Sequence, residues 1–134
     1  MRENPMRHLP PAALALIAIA VWHADRLHAA PKYPYQGLWG SNAKACGDED
    51  GVSRMEINGD RFFWYETRCR ASDVKPAGAN AWTMQMACEG EGEKYKASPR
   101  LSLPAPDRLV MEKSPVGQEK RQTYVRCAIP RLRR

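Results

Sequence analysis

Residues 61–88 read RFFWYETRCRASDVKPAGANAWTMQMAC, and the way this stretch folds decides the architecture of the chain. Its last eight residues alternate: Trp82, Met84, Met86 and Cys88 fall on one face, Thr83 and Gln85 on the other. A period of two with one apolar side describes a half-buried strand. The opening run, Arg61 to Cys69, is rich in β-prone aromatic residues. Between the two runs lies KPAGAN, Lys75 to Asn80, which is turn chemistry centred near Gly78 and Ala79. Folding the chain back about that centre sets Cys69 opposite Cys88, within disulfide reach.

Upstream, MEI (55–57) is joined to Arg61 by Asn58-Gly59-Asp60, and Asn-Gly between β-prone runs is a strong hairpin signal because both residues tolerate positive φ. Further strand candidates are GLWG (37–40), EKYKASPRLSL (93–103), RLVMEK (108–113) and QTYVRCAI (122–129). GDEDG (47–51), LPAPD (103–107) and SPVG (114–117) supply the turns between them. No segment beyond residue 30 shows a helical period. Short strands at this spacing predict an all-β domain, a small antiparallel barrel or sandwich of seven or eight strands with two disulfides.

The first thirty residues read differently. Arg2 and Arg7 precede AALALIAIAVW, Ala12 to Trp22, and small residues follow at Ala29-Ala30. A basic start, a short apolar core and a small-residue end describe a secretory signal peptide over 1–30. Eleven apolar residues fall short of the roughly 20 that cross a bilayer, so no stable membrane anchor is expected. The β-domain then occupies 31–128, and 129–134 form a basic tail. All three histidines, His8, His23 and His28, belong to the leader. The remainder holds 18 Lys+Arg against 13 Asp+Glu and four cysteines, Cys46, Cys69, Cys88 and Cys127.

An even cysteine count in a short exported chain reads as two disulfides, and no C-x-x-C spacing suggests zinc. Turn geometry favours Cys69–Cys88, which leaves Cys46–Cys127 to join the start of the domain to its end. Cys46–Cys69 with Cys88–Cys127 stays open at this point. The expected location is periplasmic or secreted.

Two stretches carry candidate binding chemistry. In FFWYE, Phe62 and Trp64 point to one side and Phe63 and Tyr65 to the other, so one pair enters the core and the second is available to a partner. In CEGEGEKY, Cys88 to Tyr95, Gly90 and Gly92 fit a bulge or tight bend that aligns Glu89, Glu91 and Glu93. A calcium ion wants six to eight oxygens, and Lys94 and Lys96 compete for these carboxylates, so neither metal nor cofactor is expected. Phe62, Trp64, Glu91, Glu93 and Tyr95 form the candidate partner surface.

Gly37-x-Trp39, Tyr65-Glu66-x-x-Cys69, Cys88-x-Gly90-Glu91-Gly92-Glu93 and Tyr124-x-Arg126-Cys127 together resemble a group of small exported bacterial β-barrel proteins. That resemblance implies the fold and no activity. Gly37-Leu38-Trp39 is also similar to the first-strand G-x-W of lipocalins, which implies a carrier of a small apolar ligand. Glu91-Gly92-Glu93-Lys94-Tyr95 resembles the Ser-Gly-x-x-Tyr loop of periplasmic C-type lysozyme inhibitors, with Gly92 and Tyr95 matching and Glu91 standing for the serine.

Without histidine after the leader, and with its thiols paired, the domain lacks the usual general base and nucleophile, so no enzyme is expected. The function read from the sequence is an exported, disulfide-stapled binding module, an inhibitor or an envelope-associated interaction protein, whose partner is an unidentified macromolecule. The alternative is a lipocalin-like carrier of a small apolar ligand. The basic balance and Arg131, Arg133 and Arg134 suit an anionic envelope surface, whereas export argues against nucleic acid.

Overall fold

The structure, a computed structural model, describes residues 33–128. The leader over 1–30 and the tail over 129–134 lie outside the described residues. Among the described residues nine strands run in chain order: β1 (Gly37–Gly40), β2 (Arg54–Asn58), β3 (Arg61–Phe63), β4 (Thr67–Pro76), β5 (Ala81–Gly90), β6 (Glu93–Ala97), β7 (Arg100–Ala105), β8 (Arg108–Glu112) and β9 (Arg121–Arg126). Every pairing is antiparallel, and successive strands are neighbours around the sheet except β6 and β7, since β7 pairs with β5. β9 returns to β1 through Trp39↔Arg126 and Gly40↔Val125, which closes an eight-stranded barrel. Closure removes the unpaired edges that an open sheet of this size would expose.

The ninth strand lies outside the closed circuit. β5 pairs along one edge with β4; its other edge is shared by β7 at Ala81–Thr83 and by β6 at Met86–Gly90. The expected single run over 93–103 is therefore two strands, broken at Ser98-Pro99. Pro99 brings no N–H to a ladder. Its carbonyl instead accepts from the Met84 amide, and the ring is fully buried where the chain changes course.

The expected run over 61–69 is broken as well. Trp64 donates its amide to the Thr67 carbonyl, a tight corner between β3 and β4 that β-propensity alone does not reveal. The hairpin over residues 77–80 forms as the turn residues direct, with Gly78 and Asn80 at positive φ. It brings Cys69 into register with Cys88, and the two are bonded; Cys46 is bonded to Cys127. The paired thiols place the domain in a non-reducing environment. Among the described residues, no helix is long and apolar enough to cross a membrane.

Side chains fill the lumen. Trp39, Met55, Phe62, Leu101, Leu109 and Met111 are fully buried, with Met84, Met86 and the Cys69–Cys88 bridge beside them. An eight-stranded barrel is just wide enough for its own inward residues to occupy the interior. Strand alternation puts the loops at two ends. One end is closed by the segment before β1: Tyr35 packs edge-on against Trp82, and its carbonyl accepts from Trp39 Nε1 at 2.8 Å. Arg126 holds that plug. Its guanidinium lies 4.2 Å above the Trp39 ring and donates to the carbonyls of Pro34, Gln36 and Pro106.

Candidate functional site

The opposite end is a mouth formed by four connections: β1–β2, β3–β4, β5–β6 and β8–β9. A cleft of about 380 Å³ opens there, bordered by Val52, Trp64, Tyr65, Glu91, Gln122 and Tyr124. Its floor grows out of the core. Tyr33 stacks on Tyr35, Tyr35 packs against Phe62, and Phe62 stacks on Trp64 with ring centroids 6.1 Å apart. Trp64 is partly buried at the top of this aromatic column and donates its indole N–H to Tyr124 Oη at 3.3 Å. Burial raises the Tyr124 phenol above the ordinary tyrosine range, while the Trp64 hydrogen bond pulls it part of the way back. The phenol is neutral at physiological pH.

The rim is apolar and exposed. Val52 is 54% and Tyr65 60% exposed, and both border the cleft. The third large exposed apolar residue among the described residues, Phe63, sits on the outer wall. Polar groups interleave with the rim: Ser41, Ser53, Arg54, Glu66 and Thr67 complete its edge. Glu91 reaches the cleft from the β5–β6 bend, where it and Gly92 take left-handed conformations with φ of 51° and 79°. Two consecutive residues at positive φ make the tight hairpin turn that Asn-Gly ordinarily serves. A non-glycine residue held there stores strain, on the order of 1 kcal/mol.

The five expected surface residues separate. Trp64 and Glu91 meet in the cleft. Phe62 does not reach the surface: it is the inward member of its pair, wholly buried beneath Trp64, and the outward pair is Phe63 and Tyr65. Residue parity groups Phe62 with Trp64 correctly but does not say which pair the barrel encloses. Glu93 is exposed on β6 away from the cleft. Tyr95 is committed to structure, since its hydroxyl donates to the Pro115 carbonyl at 3.0 Å and ties β6 to the β8–β9 loop.

Val52, Tyr124 and Gln122 were not candidates on sequence. Tyr124 belongs to a recognisable strand, but nothing local in the sequence pairs it with a tryptophan sixty residues away. Among the described residues, no cluster of three or more His, Cys, Asp or Glu side chains could hold a metal ion. In comparisons with known proteins, no protein-family model, curated protein or solved structure matches this chain.

Proposed function

We propose that the domain is an exported, non-catalytic binding module that receives another macromolecule at its mouth. One observation carries the reading: among the described residues, two of the three large exposed apolar side chains, Val52 and Tyr65, flank one cleft whose floor is an indole stacked on Phe62 and hydrogen-bonded to Tyr124. Exposed apolar groups gathered at one concave place mark recognition surfaces more often than scattered ones do. Loops on a rigid scaffold are where proteins of this kind carry binding residues. Export to the periplasm or beyond is part of the proposal and fits the paired cysteines.

A carrier of a small apolar ligand finds less support. The positions that would line a lumen ligand are Met55, Met84, Leu101, Leu109 and Met111, and they pack against one another in its place. The inhibitor-like reading of residues 91–95 is weakened by Tyr95, whose side chain is engaged with the β8–β9 loop.

The test is capture from an envelope extract with wild type, Val52→Ser/Tyr65→Ser and, as a control at the plugged end, Lys75→Ser. A partner retained by wild type and control but released by the double variant supports the mouth. Equal recovery by all three removes it.

A further inference from the structure

The outer wall of β3–β6 presents a second surface, unrelated to the mouth. In antiparallel pairs, directly opposite residues share a face, so the registers determine its composition. One row across the four strands reads Arg61, Arg70, Ala87, Lys96, and the next reads Phe63, Arg68, Glu89, Lys94. Four strands at about 4.8 Å spacing make this wall roughly 15 Å wide. Arg61, Phe63, Arg68, Arg70 and Glu89 border an open groove on it.

The charge is poorly compensated. Arg70 makes an exposed 3.6 Å pair with Asp60, whereas Arg61, Arg68, Lys94 and Lys96 make no ion pair among the described residues. Glu89 lies between Arg68 and Lys94 in register yet bridges to neither, and Glu56 borders Phe63 at the edge of the wall. Lys94 and Lys96 have a structural explanation, because lysines on an outer strand discourage edge-to-edge association. The arginines do not: β3 and β4 lie within the closed sheet, and Arg61 directly opposite Arg70 is a destabilising like-charge pair. Beside them Phe63 is 37% exposed.

We propose that this wall docks reversibly on the phosphate headgroups of an anionic bilayer. Arginines match phosphate through paired N–H donors, and an aromatic ring among them can enter the boundary between headgroups and acyl chains. A soluble polyanion would satisfy the arginines and leave Phe63 without a role. Each basic residue near an anionic membrane changes affinity by about fivefold at low salt.

The experiment is co-sedimentation of the full chain with phosphatidylcholine vesicles, with and without phosphatidylglycerol, at low and high salt. Expected are binding to the anionic vesicles alone, loss of that binding at high salt, and a fall of at least about tenfold for Arg61→Ser/Arg70→Ser. That double variant removes a like-charge pair together with the exposed Arg70–Asp60 pair, two small opposing effects, so its thermal midpoint should stay close to wild type, and a melt of the variant excludes misfolding as a confound. Phe63→Ser should weaken binding, and Tyr65→Ser should leave it unchanged. Equal binding to neutral vesicles, an arginine variant that binds like wild type, or retention on heparin without any vesicle binding would each overturn the proposal.

Discussion

Adjacent residues in the run FFWY meet opposite environments, and their substitutions should differ accordingly. Phe62→Ala empties a fully buried site beneath Trp64 and should cost about 3–5 kcal/mol. Phe63→Ala, one residue on, should change stability by no more than about 0.5 kcal/mol. Urea unfolding of the two variants checks this contrast. Buried phenols give the molecule an alkaline limit. Burial, reinforced by the neighbouring Tyr33, holds Tyr35 well above the tyrosine range, and burial raises Tyr124 as well, opposed in part by the Trp64 hydrogen bond. The unfolded chain therefore releases these protons first as pH rises past about 10. The sign follows from linkage: stability is level below that pH and declines above it, through the folded-state values. Unfolding midpoints taken across the alkaline range should show the decline, and Tyr35→Phe/Tyr124→Phe should flatten it.

At the level of elements, close approach and turn geometry set the tolerances. A side chain at Gly40 would lie 2.8 Å from the Asn42 carbonyl and 3.0 Å from Cys46 Sγ, where the 3-10 turn Lys44–Gly47 folds back beside β1. Backbone at that distance cannot yield cheaply, so Gly40→Ala should lower stability by about 1–3 kcal/mol in thermal or urea melts. In the β5–β6 bend, Glu91→Asn should raise stability by on the order of 1 kcal/mol by relieving a left-handed glutamate, while removing a carboxylate from the cleft. Much of this layer was legible in the sequence. Alternation over Ala81–Cys88, turn formers over 75–80 and Asn58-Gly59 specify hairpins through local chemistry, and the Cys69–Cys88 register follows from them. The corner at Trp64–Thr67 and the break at Pro99 were not legible, because β-prone residues continue across the first and the second depends on what β5 pairs with. The site was half legible for a related reason. Sequence singles out Trp64 and Glu91, but Val52 and Tyr124 join them only once the barrel has closed.

For the molecule as a whole, the two disulfides act over very different spans. Cys46–Cys127 closes 81 residues and Cys69–Cys88 closes 19, worth about 4.5 and 3 kcal/mol respectively in the chain-entropy account. Cys46→Ser/Cys127→Ser should therefore lower the thermal midpoint more than Cys69→Ser/Cys88→Ser, and a reducing agent should take the wild type below either paired variant. The two ends of the barrel are also unequal. Arg126 donates to three carbonyls at the plugged end, whereas the mouth opens as a cleft whose β8–β9 connection is held at its base by the Tyr95–Pro115 and Ser114–Lys120 hydrogen bonds. Lengthening a flexible connection adds only about 0.6 kcal/mol for each doubling. The exposed tip over 117–119 of the β8–β9 connection can thus be diversified in length and composition while Ser114, Pro115 and the wall beneath keep their places, which makes this domain a usable frame for randomised libraries selected against new targets.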